Sequence, residues 1–260
     1  MSDYDRNITA PRYGSTATRT QAAIDQGLRS YMLRVYNYMT LGLAITGAAA
    51  LGIYMLAVSA EPTQYALGAN VYLTQFGYAL FVSPLKWVVV FAPLAAVFFL
   101  SFRVDRMSVA AAQTVFWVYA GLVGVSLSTI FLVYTHDSIV RVFFITAATF
   151  GALSLYGYTT PRSLSAMGSF LIMGLFGIII ASLVNIFLGS SMLQFIISVV
   201  GVLVFAGLTA YDTQRIKEMY FAGDDDVVAG RKAIMGALTL YLDFINLFVM
   251  LLQLFGNRNN

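Results

Sequence analysis

Seven runs of mostly apolar residues divide the chain, at roughly 35–58, 85–101, 109–133, 139–158, 165–188, 191–211 and 234–255. A helix needs roughly 20 such residues to cross the hydrocarbon core of a bilayer, so each run reads as one transmembrane span. The second is short, and Pro93 falls inside it, where a ring without an N–H favours a kink. Composition agrees: of 260 residues 59% are hydrophobic and 10% charged, against roughly 25% charged in soluble domains. The expected fold is an all-α integral membrane protein of seven transmembrane helices. Two regions follow, a polar tail at 1–30 rich in Ser, Thr and Arg and a seven-helix transmembrane domain at 31–260.

The tail reads as mobile and cytoplasmic. It is no secretory signal, because its apolar run comes too late and no small-residue cleavage site follows. Its arginines suggest a transit peptide, but Asp3, Asp5 and Asp25 argue against one. Lys and Arg set the expected orientation. Twelve of the 15 (Arg6, Arg12, Arg19, Arg29, Arg34, Arg103, Arg106, Arg162, Arg215, Lys217, Arg231 and Lys232) fall on one side of the predicted spans, leaving Lys86, Arg141 and Arg258 on the other. The positive-inside rule makes the amino terminus cytoplasmic, and seven spans then put the carboxyl terminus on the far side of the membrane. The net charge of +3 is therefore a topology signal, and no nucleic-acid partner is expected.

Several chemistries drop out. With no cysteine, disulfides, iron–sulfur clusters and thiol catalysis are excluded. His136 is the single histidine, too few for a histidine-rich metal site. His136 and Asp137 read as a polar outer loop, since no nucleophile accompanies them. Asp224, Asp225 and Asp226 lack the spaced ligands and glycine of a calcium-binding EF-hand and read as a solvated turn. Trp87 is expected to anchor at an interface and Trp117 to pack. Stripes of small and polar residues in spans three (Gln113, Trp117, Gly121, Gly124, Ser128) and five (Gly174, Gly177, Ala181, Asn185) read as helix packing; the Asn185 amide must find a partner.

One residue resists a packing explanation. Asp243 is the only acidic side chain well inside an apolar segment. A charged carboxylate at that depth costs roughly 2.5–3.5 kcal/mol on insertion scales, so such residues face a protein interior or water and mark function. Gly236, Thr239, Asp243, Asn246, Met250 and Gln253 recur at steps of three and four and line one face of a helix; the other face is Leu, Ile, Phe and Val. Asp212 lies near the end of span six, one turn before Arg215. It reads either as half of a solvated ion pair or as a partner for Asp243 on the next helix. Two carboxylates held close cannot both ionise easily, which makes such a pair a proton-sensitive switch or a set of oxygen ligands for a hard cation. Their depths do not match if helix seven begins near Ala233, so either Asp212 is drawn inward or water reaches Asp243.

Tyr211-Asp212-Thr213-Gln214, the run Leu240 to Phe248 (Leu-Tyr-Leu-Asp-Phe-Ile-Asn-Leu-Phe) and a closing Leu254-Phe255-Gly256 together resemble the Bax inhibitor-1 (YccA/YetJ-like, TMBIM) family, over roughly residues 25–260. The resemblance implies six helices packed around a central seventh. It implies an aspartate pair between the last two helices, here Asp212 and Asp243, sensing pH for a calcium leak, with Ca²⁺ the permeant or transiently bound ion and no tightly bound cofactor. It also implies an arginine from the second helix locking the pair; Arg103 and Arg106 are the candidates. Thr239, Asn246 and Asn185 are candidate path-lining residues. A pH-sensitive calcium leak of a bacterial inner membrane is the leading expectation, in which protonation closes the path. The alternative is a non-conducting regulator or slow substrate of a membrane-anchored AAA protease that engages residues 1–30. An enzyme is not expected, since the Gly-x-Gly-Asp pattern of intramembrane aspartyl proteases is missing.

Overall fold

The computed structural model describes residues 13–67 and 71–259, with side chains in the first helix from Ile24 onward. Nine helices are found among them: α1 (Tyr13–Ala57), α2 (Gln75–Phe81), α3 (Leu85–Arg103), α4 (Val109–Leu127), α5 (Ile130–Val133), α6 (His136–Thr159), α7 (Ser165–Leu188), α8 (Ser191–Glu218) and α9 (Asp226–Phe255). Seven of these segments are long and apolar enough to cross a membrane: Ile24–Ala57, Leu85–Arg106, Val109–Val133, His136–Thr159, Ser165–Leu188, Ser191–Glu218 and Asp226–Phe255. The chain is a multi-pass, all-α membrane protein.

Local chemistry explains several of the ends. Ser108, Thr135, Ser190 and Asp225 are N-caps whose side-chain oxygens accept from backbone N–H groups of the first turns of α4, α6, α8 and α9. Gly189 ends α7 at φ +59, the left-handed conformation that glycine adopts without strain. Pro93 lies within α3, which continues past it to Arg103.

Three helices extend well beyond their apolar runs, by seven residues or more. α1 begins at Tyr13, inside the segment read as a tail, while residues 1–12 lie outside the described residues. α8 continues through Arg215 and Lys217 to Glu218, and α9 starts at Asp226, before its apolar run. Between the first two spans, β1 (Val58–Ser59) pairs antiparallel with β2 (Tyr72–Leu73). His136 and Asp137 occupy the first turn of α6 and not a loop; the His136 ring packs edge-on to Tyr54 and tilted against Phe131.

α9 is the most buried span. α1, α4, α6 and α8 pack directly against it. The expected ring of six is therefore looser in detail: α3 leans chiefly on α4, and α7 packs on α8. Tyr241, Leu240, Leu247, Phe244 and Leu252 of α9 fill the centre, and the Tyr241 ring meets Phe116 and Tyr119 edge-on. At the end carrying most of the basic residues, Arg231 donates to the Met107 carbonyl, and Lys232 bonds both the Met219 carbonyl and, at 2.6 Å, Asp224. At the other end Asn257 and Asn259 tie the chain after α9 to the α5–α6 turn.

Candidate carboxylate site between α7, α8 and α9

α8 and α9 run antiparallel and close. A Cβ on Gly236 of α9 would touch Ile216 of α8, which sets those two residues at one level. Counting from there at 1.5 Å per residue, Asp212 lies about 6 Å and Asp243 about 10.5 Å further in, less than one turn apart. Side chains lean toward the amino end of their own helix, so in an antiparallel pair Asp212 points inward and Asp243 points back to meet it. The difference in depth seen in the sequence is closed in this way. The two carboxyl groups stand within hydrogen-bonding reach of each other, and both residues are buried, at 9% and 5% exposure. Asp243 Oδ2 finds no hydrogen-bond donor among the described residues. A pair of facing carboxyl oxygens is stable in this geometry when one proton is shared between them.

The pair lines a cavity of about 650 Å³ bounded by α7, α8 and α9. Thr239, Asp243, Asn246 and Met250, four of the six residues of the spaced stripe, form its α9 wall together with Leu242; Tyr211, Asp212 and Arg215 come from α8, and Leu175, Ser182 and Ile186 are among the α7 residues facing them. Thr239 and Asn246 donate to carbonyls one turn back in their own helix, which holds their polar ends at the wall. The cation beside Asp212 is Arg215, whose charge acts on it, although no ion pair closes between them among the described residues. Arg103 and Arg106 are exposed at the end of α3 and line no part of this cavity. Asn185 is also elsewhere. Its amide donates to Gln194 and accepts from the Ser190 N–H, and Gln194 and Ser198 both donate to Gln253, forming a half-buried network at the end of the bundle away from the basic residues.

The motif 211–214 packs each of its four residues against a different neighbour. The Tyr211 ring fills the space beside Gly168 of α7, and Asp212 faces Asp243. Thr213 shares a 2.9 Å hydrogen bond with Ser154 of α6, which bonds in turn to Tyr36 of α1. Gln214 accepts from the Leu164 N–H at 2.7 Å and donates to the Arg162 carbonyl at 2.9 Å, clamping the start of α7. A Cβ at Gly157 of α6 would collide with the Ala210 carbonyl oxygen, so a glycine there is what lets α8 lie this close. Ser154 and Gly157 carry no signal in the sequence, because their partners lie more than 50 residues away. Gln214 within the recognised motif was the one available signal.

Comparison with known proteins identifies the family. The profile of the family described as "Inhibitor of apoptosis-promoting Bax1" matches residues 28–260. A protein of Rickettsia prowazekii (strain Madrid E) is 48% identical over 260 residues, the full length of both chains. One from Caulobacter vibrioides is 42% identical over 259 residues, 99% of each. The inner membrane protein YbhL of Escherichia coli (strain K12) is 44% identical over 234 residues, 89% of this chain and 93% of its own. With seven spans, the motif 211–214 and a match over nearly its whole length, the chain belongs to the Bax inhibitor-1 family.

Proposed function

We propose that the protein is a proton-regulated leak for Ca²⁺ across a bacterial inner membrane. The observation that carries this reading is the facing of Asp212 and Asp243 in a cavity that also presents Thr239 and Asn246. Ca²⁺ takes oxygen ligands in irregular geometry, and two carboxylates with a hydroxyl and an amide supply that kind of lining. When the pair holds a proton, its charge and its attraction for a divalent cation fall. Deprotonation restores both, so flux rises with pH. Arg215 replaces Arg103 and Arg106 as the cation placed to influence the pair, since it lies in the cavity wall. The orientation that follows from the basic end puts Arg215 on the cytoplasmic side.

The test is Ca²⁺ entry into proteoliposomes loaded with a fluorescent indicator, measured from about pH 6 to about pH 8. Wild type is expected to show flux that climbs with pH, and Asp243→Asn to flatten or remove it. Flux equal to that of empty vesicles throughout, from folded protein, would reject the leak. Weight would then pass to a non-conducting role such as regulation of a membrane AAA protease.

A further inference from the structure

α1 and α6 both pack along α9, yet they meet each other sparingly, through the Tyr36–Ser154 hydrogen bond and the Tyr54–His136 ring contact. The seam between them holds two hollows. At the basic end a groove of about 650 Å³ is walled by Met32, Leu33 and Met39 of α1 and by Phe150, Gly151 and Leu155 of α6. Toward the other end a second, of about 490 Å³, is almost wholly apolar, with Leu43, Gly47, Phe143 and Phe248 in its lining. Gly151 and Gly47 have open space where a Cβ would stand, so no neighbouring helix accounts for these glycines. Each glycine opens onto a hollow and makes no knob-in-hole contact with a neighbouring helix. Leu33, Gly151 and Leu155 are exposed on the outside of the bundle, where the surroundings are lipid.

The first groove has a charged mouth. Arg29 of α1 lines it on one side. On the other stands Tyr158, with the Lys217 ammonium donating to its carbonyl at 2.8 Å and lying 5.1 Å from its ring centre. An apolar trough ending in cations at the polar boundary of a membrane is complementary to one class of molecule, a phospholipid with an anionic headgroup. We infer that the α1–α6 seam is a phospholipid site, an acyl chain lying over Gly151 and an anionic headgroup between Arg29 and Lys217. The site is separate from the α7–α9 cavity and does not depend on the leak reading.

Native mass spectrometry of the full chain, delipidated in mild detergent and titrated with phosphatidylglycerol or with phosphatidylcholine of the same acyl chains, tests this. Wild type is expected to retain one phosphatidylglycerol about fivefold or more in preference to phosphatidylcholine, the effect of one well-placed cation. Gly151→Trp should reduce retention of both lipids by about tenfold. Gly177→Trp, an equally large change at an exposed glycine of α7 that lines neither hollow, should leave retention as in wild type. Arg29→Gln keeps the trough and should lose only the preference, which separates headgroup recognition from any folding defect in Gly151→Trp. Equal retention of the two lipids by wild type, or an Arg29→Gln protein with undiminished preference, overturns the inference. So does a doubled mass with no lipid, which would mean that a second copy of the chain covers the seam.

Discussion

Two hollows of the same size, about 650 Å³ each, lie on different flanks of this bundle; both have largely apolar linings, and only one of them holds carboxylates. The one between α7 and α9 collects Asp212, Asp243, Arg215, Thr239 and Asn246. The one between α1 and α6 collects Met32, Leu33, Met39, Phe150 and Leu155, with Arg29 at its rim. Volume therefore says little about what a cavity in a membrane protein is for. The difference comes from which helix face is turned inward. α9 shows its small-and-polar stripe to α7 and α8 and its Phe244 and Phe248 face to α6, where both rings meet Phe143. A buried carboxylate costs several kcal/mol unless paired or solvated, and the α7–α9 flank supplies both a partner and a cavity. An apolar groove open to lipid carries no such cost.

The sharpest way to break the contrast is to remove charge from one flank and space from the other. Asp243→Asn should lower Ca²⁺ flux at the high end of the pH range by about tenfold or more, as loss of one of two charged ligands implies. Ser182→Trp, which fills the polar cavity from α7, should block flux comparably, whereas Gly151→Trp, which fills the other hollow, should leave it unchanged. Equal loss from both fillings would erase the distinction.

Next in size is the close approach that builds the polar flank. Gly157→Leu must push α6 away from the Ala210 carbonyl and should cost about 1–3 kcal/mol, as overpacking does, seen as a lowered thermal midpoint. Gln214→Ala leaves the Leu164 N–H and Arg162 carbonyl without their partner and should cost about 1–3 kcal/mol where those groups stay dry. Smallest is Arg215→Gln. Removing a neighbouring positive charge disfavours the ionised pair, so the flux–pH curve should move toward higher pH by about one unit or less. A shift in the opposite direction would show that Arg215 does not act on Asp212 in this way.

Much of this was legible in the chain. The seven apolar runs locate the spans, because hydropathy reports where lipid lies. They do not report where a helix ends: α8 and α9 continue among Arg215, Lys217, Asp226 and Lys232, and α1 reaches back to Tyr13. The α9 stripe was readable because its period is local. Four of its residues, Thr239, Asp243, Asn246 and Met250, do share one cavity wall. The arginine beside Asp212 was within reach, one turn along the same helix. Arg103 and Arg106 were not placeable, because helix order around α9 depends on contacts that spacing along one helix does not record. The same holds for Ser154, which joins Tyr36 to Thr213 across three helices, and for Asn185, whose partner Gln194 lies beyond a turn.

On the proposed function, Asp212 and Asp243 act as one proton-sharing unit and not as two separate groups. The direct test compares the pH profile of Ca²⁺ flux in Asp212→Asn, Asp243→Asn and the double variant, each verified as folded. A shared unit predicts that either single substitution removes the pH dependence as completely as the double one, so that the effects are strongly non-additive. Single variants that each keep the wild-type pH profile, with effects that add in the double, would show two groups titrating separately.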